Sequence, residues 1–288
     1  MNLIDVVIGN ADRDPDRAAL LTDEAAISFG HLLEKSSQCA RFLARSGVRE
    51  GDRVGIALPR AEESVAGLLA AWLLGATPLV LDFRMKSAEK AALAQALNVA
   101  AFVQARPGTG QTSHLEIVVG DLFETIAREE TGLYERPVTE HPALIFRTSG
   151  TTGTPQGILY SHASLLHMHW MISVTAMGFN RGLFMHATPL FYSAGLARTL
   201  SQLLDGGASF VLPMITSAEE FAERLVSSGS RIGWVVPPQL TALLELSRAL
   251  EQPLLGDIRL LAGGANVSAE TCMRAYRELT PDLCLAYG

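Results

Sequence analysis

RVGIALPRAEESVAGLLAAWLLGATPLVL, Arg53 to Leu81, is the stretch whose reading decides the fold. Arg53–Leu58 is a short apolar run carrying Val54 and Ile56, the pattern of a buried strand. Ala61 to Leu74 reads as a helix, Gly75 as its stop, and Thr77–Leu81 as a second strand. Ser64 to Leu81 carries no charge and approaches the length that crosses a bilayer. Gly75 and Pro78 interrupt it, so helix, turn and strand account for it better than a membrane span. Two strands joined by a helix are the unit of a parallel sheet.

The same rhythm runs outward in both directions. Ser87–Leu97 reads as a helix with Ser87 as N-cap, Glu89 in the first turn and Asn98 as terminator. VAAFV and HLEIVV follow as strands, with the loop Pro107–Ser113 between them. Further strands are expected at Leu183–Ala187, Ser209–Leu212, Ile232–Val236, Ile258–Ala262 and Leu283–Ala286. A Ser217–Glu220 capping box opens one intervening helix and Ser268 opens another. Repeated strand–helix–strand units predict an α/β fold of two doubly wound, mostly parallel β-sheet lobes packed with helices. The expected division is an N-terminal segment at 1–50 packing with the second lobe, a first lobe at 51–180 and a second at 181–288.

Composition sets the outer limits. A core of ordinary size is expected from 288 residues that are 48% hydrophobic and 18% charged. A formal charge of −7, without basic runs, disfavours nucleic acid as a partner. Cys39, Cys272 and Cys284 show no paired spacing, and the N-terminus lacks a secretory pattern, so a cytoplasmic location is expected. His162, His167 and His169 are spaced by five and two, which does not align them on one helical face, so no metal site is expected.

FRTSGTTGTPQG, Phe146 to Gly157, carries the chemistry. An apolar strand, Ala143–Phe146, precedes it, and ILYSHASLLHMHW, helix-competent after its first few residues, follows. Its three glycines let successive backbone N–H groups turn into one concavity, and its hydroxyls add donors, a combination suited to a polyphosphate. It is neither a Gly-Lys P-loop nor a dinucleotide fingerprint. On composition alone a flexible linker is the competing reading.

TSGTTGTPQG resembles the signature of the AMP-binding superfamily: acyl- and aryl-CoA synthetases, luciferases and peptide-synthetase adenylation domains. SHASLL (Ser161–Leu166), TPLFYSAGL (Thr188–Leu196), WVVPPQLTALL (Trp234–Leu244), LLAGGANVS (Leu260–Ser268) and the terminal LAYG resemble further motifs of that family, in family order. The resemblance implies a triphosphate-binding loop of Thr148, Ser149, Gly150, Thr151, Thr152, Gly153, Thr154, Gln156 and Gly157. It places Gly263, Gly264 and Ala265 beside the adenine, with Tyr287 on its face and Gly288 next to it. Tyr192, Ser193 and Gly195 are implied to shape the acyl pocket. Tyr192 as a half-buried aromatic, and Gly263–Gly264 as a tight strand-to-helix turn, are the plainer alternatives.

The implied chemistry is activation of a carboxylic acid with ATP and Mg2+ to an acyl-adenylate, then transfer to coenzyme A or a carrier-protein phosphopantetheine. An adenylation domain loading a carrier, or a non-catalytic nucleotide-binding protein on the same fold, are the alternatives. No aspartate stands in PLFYSAGL to pair with a substrate ammonium, which favours an acyl or aryl acid. The threonine and glutamate of the family's last motif, the glutamate being the expected Mg2+ ligand, and the mobile C-terminal domain with its lysine, are expected beyond Gly288. No catalytic residue is therefore assigned within the chain, which is expected to bind but hardly to turn over.

Gln156 stands where the family usually has lysine, which removes a positive charge beside the phosphates. Gln156→Lys is accordingly expected to tighten ATP binding. Equal ATP affinity of the two proteins, measured by calorimetric titration, would count against that role.

Overall fold

The computed structural model describes residues 2–108, 114–135, 141–148, 156–174, 182–248 and 253–286, with Thr148 described in its backbone alone. In chain order the elements begin with α1 (Leu3–Arg13), β1 (Ala18–Leu21), β2 (Ala26–Ser28), α2 (Phe29–Arg45), β3 (Arg53–Ala57), α3 (Ala61–Leu74) and β4 (Thr77–Val80). Then come α4 (Ser87–Leu97), β5 (Ala101–Gln104), β6 (Leu115–Val118), α5 (Leu122–Ile126), β7 (Leu144–Thr148), β8 (Gln156–Tyr160) and α6 (His162–Ile172). The remainder is β9 (Leu183–His186), α7 (Ser193–Asp205), β10 (Ala208–Val211), α8 (Ala218–Ser227), β11 (Ile232–Val235), α9 (Pro237–Ser247), β12 (Arg259–Gly263), α10 (Ala269–Glu278) and β13 (Leu283–Ala286). They form two compact units, Met1–Arg17 with Ile27–Met168, and Ala18–Ala26 with His169–Gly288.

In the first unit a parallel sheet runs in the order β4-β3-β5-β6. The expected helix α3 is present and is buried from Glu62 to Leu74. Burial all round is why its sequence looked long enough for a membrane. Gly75 closes it in a left-handed turn at φ 71°, and Pro78 is tolerated because β4 is the edge strand. No helix among the described residues is long and apolar enough to cross a membrane. α4 begins one residue earlier in its capping than expected. Ser87 is already helical, and Lys86 is the cap, its backbone N–H donating to the Glu89 carboxylate at 3.0 Å. Asn98 does end that helix, left-handed at φ 49°. Leu93 and Ala94 of α4 pack with Leu79, Phe102 and Ile145 into one core. The stretch after the Gly-rich segment is helical after its first few residues, as expected, with α6 starting at His162; the residues before it form β8, which pairs antiparallel with β7, Thr148 facing Gln156.

The second unit has parallel strands in the order β13-β12-β11-β9-β10-β1. One face, through Met185, Val235, Leu260 and Ala262, receives Phe221 and Leu225 of α8, Leu240 and Leu243 of α9, and Ala275 of α10. The opposite face carries Phe184, Ile232, Trp234 and Leu261, and Ala194 of α7 packs against it. Helices on both faces make the sheet doubly wound, as the strand–helix rhythm predicted. Ser217 and Ser268 both act as N-caps, accepting hydrogen bonds from the N–H groups of Glu220 and Thr271. The capping box at Ser217 is half formed, because the Glu220 carboxylate pairs with Arg224 instead.

Glu63 is a polar exception in the first unit's core. It is 1% exposed, and its carboxyl accepts from the Leu122 N–H at 2.8 Å. Burial, reinforced by the negative charge of Asp121, raises its pKa from about 4.5 to about 7. Between those values the folded chain keeps a proton that the unfolded chain has released. Glu63 therefore makes stability fall as pH rises from about 4.5 to 7. Urea unfolding across this window is expected to show a shallower loss for Glu63→Gln than for the parent. Equal slopes would remove Glu63 as the cause.

Candidate functional site

The second unit's sheet has a reversal built into its strand order. From β9 the chain crosses through α7 to β10 on one side; from β11 it crosses through α9 to β12 on the other. Loops leaving the carboxyl ends of two such strands diverge, which is where open α/β sheets bind ligands. Tyr192, Ser193 and Gly195 follow β9, and Gly263, Gly264 and Ala265 lie at the end of β12. The structure brings both sets to the carboxyl edge of one sheet.

The loop after β9 is fixed by a buried histidine. His186 Nδ1 lies 2.9 Å from the Thr188 carbonyl, and its Nε2 lies 3.0 Å from the Thr199 hydroxyl. A carbonyl only accepts, so Nδ1 carries the proton and Nε2 accepts from the threonine. Burial pushes the imidazole down to about 4, which keeps it neutral and suited to one bond of each kind. The loop then turns tightly, the Tyr192 N–H donating to the Pro189 carbonyl at 3.1 Å. Tyr192 is 53% exposed, with its ring against Phe191. Ser193 opens α7. A side chain on Gly195 would sit 2.5 Å from the Pro189 carbonyl oxygen and 2.6 Å from that of Thr188, so the helix start admits no larger residue there.

At the end of β12, a Cβ on Gly263 would lie 2.5 Å from the Ala286 carbonyl oxygen and 2.8 Å from the Trp234 ring. Gly264 has φ +93°, a backbone open to glycine, and it and Ala265 are exposed. Ser268 then caps α10. Trp234 links the two loops: Arg198, one turn into α7, lies over its indole with the guanidinium 4.8 Å from the ring centre. His186, Arg198 and Trp234 were given no role by the sequence reading. The available signal was weak, an arginine at i+4 from Ala194 on the face of α7 turned to the sheet.

Gln156 and Gly157 belong to β8 in the other unit. Gln156 is exposed, and a Cβ on Gly157 would meet Ile145 Cγ2 at 2.7 Å and Leu97 Cδ1 at 3.0 Å. Arg147 on β7 is exposed and near enough to Asp82 to help lower its pKa, after Arg84. Thr148 is described only as the last residue of β7. Ser149, Gly150, Thr151, Thr152, Gly153 and Thr154 lie outside the described residues, as do Tyr287 and Gly288. The three histidines have separate roles or settings. His162 Nδ1 accepts from the Leu3 N–H at 3.1 Å, and His169 Nε2 lies 3.3 Å from Asp205, while His167 is exposed.

A doubly wound parallel sheet with glycine-bearing loops at its carboxyl edge places the second unit in the class of open α/β folds. The AMP-binding enzyme family matches residues 9–288, and the chain belongs to that adenylate-forming family. A 2-succinylbenzoate–CoA ligase of Bacillus cereus is 26% identical over 257 residues, covering 87% of this chain and 51% of that protein. A linear gramicidin synthase of Brevibacillus parabrevis is 34% identical over 177 residues, 58% of this chain and 3% of that protein. The chain thus spans about half the length of the former and a small part of the latter. In fold it is similar to a long-chain-fatty-acid–CoA ligase from Archaeoglobus fulgidus, with TM-score 0.85 at 22% identity over 99% of this chain and 63% of that one.

Gly195→Ala forces a methyl group against two backbone carbonyls that cannot swing away. It is expected to destabilise the chain by about 1–3 kcal/mol, readable as a lower urea midpoint at unchanged slope. A midpoint equal to the parent's would show that the loop can move.

Proposed function

We propose that the chain binds ATP and a carboxylic acid for acyl-adenylate formation. A substrate carboxylate oxygen attacks the α-phosphorus, pyrophosphate leaves, and the acyl group then passes to a thiol with release of AMP. The observation that carries this reading is the placement of the Tyr192–Gly195 and Gly263–Ala265 loops at one sheet edge, in a chain matched to its family from residue 9 to residue 288.

The roles proposed follow from chemistry. Gly264, exposed and left-handed, leaves its peptide groups open beside an adenine, and Ala265 adds no bulk. Tyr192 and Ser193 present exposed side chains to an acyl group, and Gly195 allows the tight turn that aims them. Thr148 to Gly157 supply the donors for the triphosphate, with Tyr287 and Gly288 beside the nucleotide. When bound, Mg2+ would neutralise phosphate charge. No enzyme nucleophile is required, since positioning and charge neutralisation supply most of the rate in such displacements.

Coenzyme A is the proposed acceptor and an acyl or aryl acid the proposed substrate, in keeping with the likeness to 2-succinylbenzoate–CoA ligases over 87% of the chain. Loading of a carrier protein is the second reading, favoured by the 34% identity to a gramicidin synthase. A cytoplasmic location accords with free cysteines at 39, 272 and 284.

Pyrophosphate exchange into ATP, measured on the full protein with a panel of fatty and aromatic acids, is expected to depend on the acid supplied. Exchange that no acid stimulates would overturn the reading. With the accepted acid in hand, thioester formation on coenzyme A but not on carrier phosphopantetheine is expected, and the reverse would select the second reading.

A further inference from the structure

Arg198 is a poorly reconciled charge among the described residues of the second unit. It is 8% exposed, and its Nε is fully shielded without a hydrogen-bond partner, while its terminal nitrogens are not among the shielded atoms. No carboxylate among the described residues pairs with it, and none of its five N–H donors has an acceptor there. The Trp234 ring beneath it offers a cation–π contact at 4.8 Å. That stabilises the charge from one face but satisfies no N–H. Burying a guanidinium without an anion is strongly unfavourable, so the unpaired donors mark a place for one.

The surroundings say where that anion belongs. Arg198 stands three residues beyond Gly195 on α7, the helix whose first turn is the proposed acyl loop. Its ring partner Trp234 reaches the end of β12 at Gly263. One turn further along the same helical face, Gln202 is fully buried with both amide atoms unpaired. Around Trp234 the lining is apolar, from Phe184, Leu261, Ala194 and Cys284. A cation with unshielded terminal nitrogens and apolar walls behind the acyl loop suit the far end of a substrate, not its reacting carboxylate. Burial lowers the pKa of Arg198, but arginine has reserve enough to stay charged.

We propose that Arg198 is a specificity-determining residue that binds a second carboxylate on the acyl substrate, so that the acid activated is a dicarboxylic one. This rests on the ligase reading above. One carboxylate is adenylated while the other is held by the two terminal nitrogens of the Arg198 guanidinium, the part of it that is not shielded. A monocarboxylic acid of equal length leaves the guanidinium buried and unpaired, a penalty that discriminates strongly against it.

The test compares straight-chain C6–C10 dicarboxylates with monocarboxylates of the same length in pyrophosphate exchange by the full protein. At least one dicarboxylate is expected to exceed its partner in kcat/KM by roughly 100-fold. Arg198→Met should lower the dicarboxylate's value by a similar factor and so abolish its advantage over the monocarboxylate; an advantage that persists in this variant would overturn the assignment. Monocarboxylates equal to or better than every dicarboxylate in the parent protein would overturn the proposal while leaving the ligase reading intact. If Arg198→Met does not fold, Arg198→Lys, which keeps charge but loses the fork, should reduce the preference partially; an unaltered preference would overturn the assignment. If no acid supports exchange, the ligase reading falls, and calorimetric titration of the same protein with adipate and hexanoate decides the receptor. Binding of adipate alone supports it, and binding of neither or of both equally overturns it.

Discussion

The carboxyl edge of the second unit depends on one buried side chain kept neutral. His186 ends β9, and its two ring nitrogens join the Thr188 carbonyl to the Thr199 hydroxyl across the start of α7. Only an uncharged imidazole offers one donor and one acceptor, and burial supplies that state by pulling the pKa to about 4. With the loop tied at both ends, Gly195 can approach the Pro189 carbonyl closely and α7 can start within a few residues of the strand. That early start sets Ala194, Arg198 and Gln202 on the face turned towards Trp234. Loop shape and the chemistry behind the loop are therefore consequences of a single hydrogen-bonded bridge.

Much of the fold was legible because parallel strands buried on both faces are nearly continuous apolar runs. β3, α3 and β4 could be read from Arg53–Leu81, since Gly75 and Pro78 punctuate a stretch otherwise without charge. Asn98 announced its left-handed terminus for the same local reason, a short polar side chain that tolerates positive φ. What failed were choices between near-equivalent local partners. Ser87 could have capped α4, yet Glu89 reaches the Lys86 N–H and moves the boundary. Glu220 could have closed the Ser217 box, yet Arg224 one turn on takes its carboxylate. β8 went unread because Gln156, Ile158 and Leu159 are exposed and give no buried-strand pattern. β1 draws its stability from pairing with β10, nearly two hundred residues away, which no local window contains.

The candidate site was legible only through longer motifs. Tyr192, Ser193, Gly195, Gly263, Gly264 and Ala265 stood out in stretches of familiar form, and Trp234 opened another such stretch without a role attached to it, whereas Arg198 lies on a helix just beyond the motif. A cation on the buried face of a helix is a departure from amphipathic pattern, and its meaning emerges only when the sheet beneath it is known. The indole of Trp234 then explains how the charge is tolerated, and the lack of a carboxylate among the described residues explains why the tolerance is incomplete.

The glycines of the site separate into two kinds. Gly195 and Gly263 are needed by the chain itself, since a methyl group on either would strike backbone carbonyls of neighbouring segments. Their smallness would be required with or without a ligand, so it is weak evidence for one. Gly264 differs: a Cβ there meets only Val236, at 3.7 Å, and yet the backbone is left-handed at φ +93° and exposed. No packing demands that residue's lack of a side chain; its left-handed backbone does. Among the described glycines at the sheet's carboxyl edge, Gly264 is thus required by its backbone conformation and not by packing, and it lies next to Gly263, which in turn abuts the ring that carries Arg198.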